Sequence, residues 1–166
     1  KEPVHAPTVG QRHFHLFLSH VWGTGQDQMR IVKQRLLEMI PGLSVFLDVD
    51  DLEDISNLQG YIERTQIILI YCSQGYFQSK NCLREVEATV NKQKPFMLTH
   101  EADPDKGGGP LEELKSELDN VQLKDAIFTE GRTITIWYRV AEFQLVSLKS
   151  LAEFTLLHTI RVESGC

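Results

Sequence analysis

Five short apolar segments, spaced along the chain, have the character of buried β-strands. The third of them, QIILIYCS, is uncharged, rich in β-branched residues and bounded by polar residues. Apolar runs of this length predict strands that are covered on both faces, as in parallel sheets. The predicted strands comprise residues 14–19, 43–48, 66–73, 96–100 and 133–138.

The segments between these strands carry helical periodicity. After the first strand, apolar residues recur at three- and four-residue spacings until Pro41-Gly42 ends the pattern. Further helices are predicted over residues 56–62, 81–93 and 111–119, and from about residue 140 onwards. The last helix is expected to face the interior with Val140, Phe143, Val146, Leu151 and Phe154.

Regular alternation of strands and helices predicts an α/β domain with a flavodoxin-like, five-stranded parallel sheet and helices on both faces. We expect one domain over residues 13–160, preceded by a linker from a longer protein (1–12) and followed by a short tail (161–166). Ligands of such sheets bind at the carboxyl ends of the strands, near the point where the strand order reverses. That edge should gather Ser19, His20, Trp22, Asp48, Cys72 and Ser73.

The composition and charge of the chain argue against several classes of function. Hydrophobic residues make up 42% of the 166 residues, which indicates a folded globular chain. The net charge of -6 argues against nucleic-acid binding, which needs a basic surface. No apolar run approaches the length of a membrane span, so no membrane contact by this domain is expected. Three cysteines without a Cys-x-x-Cys pair favour reduced thiols and a cytoplasmic location.

Common nucleotide and metal motifs do not fit the predicted edge. Gly23-Thr24-Gly25 matches half of a dinucleotide fingerprint, but Gln28 replaces its third glycine, so a simple bend into the first helix is favoured. The Gly107–Gly109 run lacks a Walker lysine and is interpreted as a flexible surface loop. The receiver domains of response regulators share this fold, but their acids, phospho-acceptor and lysine are missing from the expected places. The histidines have no metal-ligand spacing, so no metal site is predicted.

Three segments, in order, resemble Toll/interleukin receptor (TIR) domains. FLSHVWG resembles their first sequence box, and SVFLDVDDLED resembles the second strand running into the loop known as the BB loop. SQGYFQSKNCLREVEA resembles the end of the third strand and a helix with a Cys-x-x-Glu pattern. The resemblance covers about residues 13–160 and implies signal transduction in innate immunity.

Many TIR domains cleave NAD at the nicotinamide–ribose bond, giving nicotinamide and ADP-ribose or a cyclic isomer. The resemblance places their catalytic glutamate at Glu85, although spacing alone leaves Glu87 open. A carboxylate suits this reaction because it stabilises an oxocarbenium-like ribose as nicotinamide leaves. NAD would be the substrate, and no further cofactor is implied. Without the resemblance, Glu85 is equally an acid in the first turn of a helix.

The resemblance also implies which residues bind NAD and which residues form contacts between TIR domains. Substrate-binding candidates are Trp22, His20, Asp48 and Glu53, with the Trp22 indole suited to stacking on a flat ring. Asp51 and Ile55, in the BB loop, are candidates for self-association into a homo-oligomer. Two other functions stay open. One is an adaptor that acts only by contacts between TIR domains, and the other is a receptor that binds a small nucleotide without cleaving it.

Overall fold

The computed structural model describes residues 13–47 and 58–164. The strands are β1 Phe14–Ser19, β2 Val45–Phe46, β3 Thr65–Cys72, β4 Phe96–His100 and β5 Ile134–Ile136. The α-helices are α1 Trp22–Met39, α2 Leu58–Glu63, α3 Lys80–Asn91, α4 Leu111–Ser116, α5 Val121–Ile127 and α6 Ala141–Ser164. Two 3-10 turns, Tyr76–Gln78 and Pro104–Lys106, lie in the loops that follow β3 and β4.

The five strands form one parallel sheet in the order β2-β1-β3-β4-β5. This is the flavodoxin-like order, and it confirms the predicted fold class. Leu18 pairs with Leu69 across β1 and β3, and Ile70 pairs with Leu98 across β3 and β4. The order reverses between β1 and β3, so a crevice is expected beyond the carboxyl ends of these two strands.

Alternation along each strand divides the core into two layers. Leu16 and Leu18 of β1 pack with α1 and α6, whereas Phe17 packs on the other face with α2, α3 and α5. Strand residues point alternately to opposite faces, so an uninterrupted apolar run supplies both layers. The central strand β3 is the clearest case, because seven of its eight residues are buried.

Several boundaries differ from the sequence-based expectations. The helix α1 begins at Trp22, so Gly23 and Gly25 lie inside its first turn and the predicted bend is wrong. The segment predicted as one helix over 111–119 ends early, and α5 follows it. The side chain of Asn120 caps α5 by accepting a hydrogen bond from the Leu123 amide at 2.9 Å. This helix could have been predicted from the capping residue Asn120 and from the four-residue spacing of the apolar Leu123 and Ile127.

The predicted inner face of α6 is only partly correct. Leu151 is fully buried and Phe154 is half-buried, but Val140, Phe143 and Val146 are exposed. The buried stripe instead consists of Ser147, Leu148, Leu151, Ala152, Thr155 and Thr159. Hydroxyl residues fit on this buried stripe because their polar groups are hydrogen-bonded. Thr155 donates to the Leu151 carbonyl, and Ser147 donates to the Ile136 carbonyl. A prediction from hydrophobicity alone therefore gave the wrong buried face for the start of α6.

Three further findings concern whole-chain expectations. Within residues 13–47 and 58–164, the structure contains no helix that combines the length and apolarity needed to cross a bilayer. The same residues contain no group of three histidines, cysteines or acids placed to hold a metal ion. Cys72 and Cys82 are both buried, and Cys72 belongs to the apolar core on one face of the sheet.

Candidate active site

A pocket of about 220 Å³ lies at the carboxyl edge of the sheet, where the strand order reverses. It forms between the end of β1, the first turn of α1 and the first two turns of α3. Its lining residues are His20, Val21, Trp22, Gly23, Ser79, Asn81, Cys82 and Glu85. Four residues of the FLSHVWG segment and the Cys-x-x-Glu pair therefore meet in one place, although more than 55 residues separate them in sequence.

Glu85 is an interior carboxylate of this pocket. The helix α3 is capped by Ser79, whose hydroxyl accepts a bond from the Cys82 amide at 3.3 Å. Glu85 is the sixth residue of the helix, so the first-turn interpretation is wrong. Its side chain is only 3% exposed, whereas Glu87 is exposed to solvent. The structure thus distinguishes the two acids that sequence spacing had left equivalent.

Two buried hydroxyl groups connect Glu85 to the core. The Ser19 hydroxyl, at the end of β1, donates to Glu85 Oε2 at 2.5 Å. The phenol oxygen of Tyr76, in the 3-10 turn after β3, lies 2.5 Å from the same serine oxygen. Burial is the main cause that raises the pKa of Tyr76 well above its ordinary value, and the nearby Cys82 and Glu85 act in the same direction. Ser19 was expected at this edge of the sheet but without a role in the site, and Tyr76 was interpreted as part of a loop.

His20 and Trp22 take different positions at the pocket. His20 is buried, and its Nδ1 lies 3.1 Å from the Leu18 carbonyl oxygen. Its own carbonyl oxygen accepts a weak bond from the Cys82 thiol at 3.4 Å. Trp22 is 53% exposed and lines the pocket from the first turn of α1. An indole in this position offers one flat apolar face to a ligand.

Gly25 sets how closely α1 approaches this region. A Cβ atom at Gly25 would lie 3.0 Å from Cδ1 of Tyr71 and 3.1 Å from Cβ of His20. Both distances are shorter than ordinary van der Waals contact, so a larger residue would push the helix away. The glycine that resembled part of a nucleotide fingerprint is required for packing.

A second pocket, of about 300 Å³, shares Trp22 and Gly23 with the first. It lies between the first two turns of α1, the loop after β4 and Arg139. Its lining combines two cationic side chains, Lys106 and Arg139, with the acid Asp27 and several neutral polar groups. Thr24 anchors this end of α1, because its hydroxyl donates to the Gln74 carbonyl at 2.9 Å.

A second buried carboxylate, Glu101, lies under this second pocket. Its Oε2 accepts from Arg139 Nε and from the Tyr71 hydroxyl, both at 2.9 Å. A Cβ atom at Gly108 would come within 2.0 Å of the Glu101 backbone oxygen, so only glycine fits there. The interpretation of the triglycine as a flexible surface loop is therefore wrong. The loop packs closely on the sheet edge, with Gly108 and Gly109 buried.

Other predicted site residues fall on parts of the chain that the structure leaves undescribed. Asp48 and Glu53, assigned to substrate, lie outside residues 13–47 and 58–164. So do Asp51 and Ile55, assigned to self-association, and the linker 1–12. These assignments stay predictions.

Comparisons with known proteins show a likeness to solved structures. Neither the family models nor the curated proteins contain a match to this chain. Among solved structures, the chain is similar to the TIR domains in the activated Roq1 resistosome directly recognizing the pathogen effector XopQ. The two share 16% sequence identity with a TM-score of 0.45, over 86% of this chain and 83% of the other.

Proposed function

We propose that this chain is a TIR-type signalling domain that hydrolyses NAD at the nicotinamide–ribose bond. The observation that supports this most directly is a buried carboxylate, Glu85, that lines a pocket beside an exposed indole, Trp22. Both residues belong to the segments that resemble TIR domains. The cytoplasm supplies NAD and is the expected location.

The reaction needs little from the protein beyond orientation and charge. The bond between C1′ of the ribose and the pyridinium nitrogen breaks, and its electron pair neutralises the ring, so nicotinamide leaves uncharged. The Glu85 carboxylate, which lines the pocket, would stabilise the cationic ribose that remains. Water then adds its oxygen to C1′ and loses a proton to solvent, giving ADP-ribose. A nitrogen of the adenine ring could attack C1′ instead and give a cyclic isomer.

The dimensions of the two pockets suit a ligand of this kind. The pocket of about 220 Å³ at Glu85 matches a nicotinamide ribose better than a whole dinucleotide. The neighbouring pocket of about 300 Å³ would extend the space on the far side of Trp22. Together they fall within the usual range of ligand sites, roughly 300–1,000 Å³.

The test is nicotinamide release from NAD by the wild type, Glu85→Gln and Glu87→Gln. Loss of the carboxylate should lower turnover by at least about a hundredfold, as for other groups that stabilise transition-state charge. The exposed Glu87 is the matched control on the same helix, and its variant should keep wild-type turnover. A protein series up to high concentration covers activation by self-association, which is a mass-action effect. Equal turnover in Glu85→Gln would exclude this active site, and binding of NAD with recovery of intact ligand would indicate a receptor.

A second candidate function is signalling by contact alone, as an adaptor. Apolar side chains at the start of α6 favour it, because Val140, Phe143 and Val146 are 56–61% exposed. Exposed apolar patches of this kind commonly mark protein–protein contacts. Under this alternative, Phe143→Ser, Asp51→Ala and Ile55→Ala should reduce self-association in sedimentation experiments. Leu157→Ser, elsewhere on α6 and 58% exposed, is the matched surface control.

A further inference from the structure

The direction of the hydrogen bonds between Tyr76, Ser19 and Glu85 follows from their protons. Ser19 has one hydroxyl proton, and that proton is donated to Glu85 Oε2 at 2.5 Å. The serine oxygen must then accept from the Tyr76 hydroxyl, 2.5 Å away. Tyr76 keeps its proton at neutral pH, because burial raises its pKa. Both O–H dipoles therefore point towards the carboxylate.

These two hydroxyl residues lie behind the carboxylate, away from the pocket. Ser19 and Tyr76 are buried, and neither contributes to the lining of the pocket at Glu85. They can reach a bound substrate only through Glu85. Any effect on the reaction must therefore come from the position and charge of that side chain.

We infer that Ser19 and Tyr76 are positioning residues, which hold the Glu85 carboxylate in its ionised form and in one rotamer for cleavage of NAD. This inference rests on the proposed function. A carboxylate inside a protein is costly unless donors replace its lost water. A charge-assisted bond from Ser19 supplies such a donor, and the Tyr76 bond polarises Ser19 further. The ionised form is the one that stabilises a cationic ribose.

Other titratable groups surround this chain of bonds. His20 and Cys82 line the pocket with Glu85, and Cys72 of β3 lies close enough to Tyr76 to affect its pKa. Burial raises the pKa of the Cys72 thiol to about 12, so this thiol is neutral throughout the range in which the enzyme would work. All three groups are unchanged in the variants proposed below, so their own titration is common to every pH profile.

The test compares the pH dependence of NAD cleavage in the wild type, Ser19→Ala and Tyr76→Phe. Removing a donor from a carboxylate favours its protonated form, so the acidic limb of the kcat profile should move to higher pH. At neutral pH, kcat should fall about tenfold in Ser19→Ala, as expected for a hydrogen bond to a charged group, and less in Tyr76→Phe. KM should change little, because neither side chain lines the pocket. An unmoved acidic limb in both variants would overturn the inference.

Tyr71→Phe is the matched control for the loss of a buried phenol oxygen. Tyr71 is as deeply buried as Tyr76, but its hydroxyl bonds to Glu101. Its loss should leave the acidic limb where it is in the wild type. If Tyr71→Phe moves the limb as far as Tyr76→Phe does, general loosening of the fold explains the effect and the inference is wrong. Should Ser19→Ala fail to fold, Tyr76→Phe decides alone, because it removes one oxygen and keeps the ring.

A measurement without substrate separates this inference from the proposed function. The Glu85 carboxyl carbon can be followed by NMR during a pH titration and assigned by its loss in Glu85→Gln. Protonation at higher pH in Ser19→Ala than in the wild type is the expected result, even if NAD is never cleaved. An unchanged Glu85 titration in Ser19→Ala would refute the positioning role. Absence of wild-type turnover would refute only the proposed function.

Discussion

Two buried carboxylates, Glu85 and Glu101, lie at the same edge of the sheet in different surroundings. Both are at most 3% exposed, and each accepts a bond from a buried hydroxyl group. Glu101 also pairs with the cation of Arg139 at 2.9 Å and anchors the loop that follows β4. Glu85 lines a pocket, and one of its oxygens accepts a hydrogen bond from Ser19.

The difference indicates that burial by itself does not identify an active-site acid. A carboxylate with a cationic partner and a loop closed over it contributes to the fold. Glu85 lies at the wall of a pocket, and the role proposed for it is to stabilise charge on a substrate. The position of each carboxylate relative to a pocket, more than its exposure, separates the structural role of Glu101 from the role proposed for Glu85.

The largest expected effect on stability comes from neutralising Glu101. Glu101→Gln leaves Arg139 without its counter-charge, and breaking a fully buried pair costs about 3–5 kcal/mol. The Arg139 side chain is 31% exposed and can be partly hydrated, so we expect a loss of about 2 kcal/mol. The free energy of unfolding, from urea titration, gives the measurement.

Glu85→Gln is the matched comparison in the same experiment. Ser19 can donate to the amide oxygen as it does to the carboxylate, so stability should change by less than about 1 kcal/mol. Nicotinamide release should show the opposite order, with the larger loss in Glu85→Gln. Equal losses of stability in the two variants would contradict the division into structural and functional carboxylates.

Alkaline unfolding tests the two buried tyrosines that accompany these carboxylates. Burial raises the pKa of Tyr71 and of Tyr76 in the folded state, whereas unfolded tyrosine ionises near about pH 10. The unfolded chain therefore loses more protons above that pH. The free energy of unfolding should fall as pH rises, by up to about 1.4 kcal/mol per pH unit for each tyrosine.

Phenylalanine at either position should remove one such contribution. We expect Tyr71→Phe and Tyr76→Phe to flatten the alkaline decrease in the free energy of unfolding equally, because burial is the main cause of the raised pKa of both tyrosines. The raised pKa of Cys72 contributes to the slope in every variant and cancels in the comparison. A slope that stays unchanged in one variant would mean that its tyrosine ionises within the folded protein.

The fold and part of the site could be predicted from the sequence, and particular residues show why. Uninterrupted apolar runs such as that of β3 predicted the parallel sheet. The common direction of its strands then predicted that His20 and Trp22 lie at one edge of it. The TIR resemblance pointed to Glu85, and the structure shows that Glu85 is buried whereas Glu87 is exposed. These conclusions depend on periodicity and on the direction of the strands.

The partners of the site could not be predicted, because they depend on how separate elements pack. The bond from Ser19 to Glu85 joins residues 66 positions apart, and the bond from Trp137 to Gln28 joins residues 109 positions apart. The sequence contains one indication that Glu101 is part of the site, namely its position directly after a strand. The glycines and prolines nearby led instead to the interpretation of this segment as an ordinary loop. The apolar start of α6 was misassigned because hydrophobic residues there face solvent.

The smallest expected effects come from two glycines in the first turn of α1, which links the two carboxylate regions. A methyl group at Gly25 would press on Tyr71 and His20 at about 3 Å, whereas one at Gly23 meets nothing within 4 Å. Gly25→Ala should therefore lower the free energy of unfolding by about 1 kcal/mol, since overpacking outweighs the gain in helix propensity. Gly23→Ala should raise it by up to about 0.5 kcal/mol. Thermal or urea unfolding of both variants gives the comparison, and a stabilised Gly25→Ala would show that α1 can move away from His20 without loss.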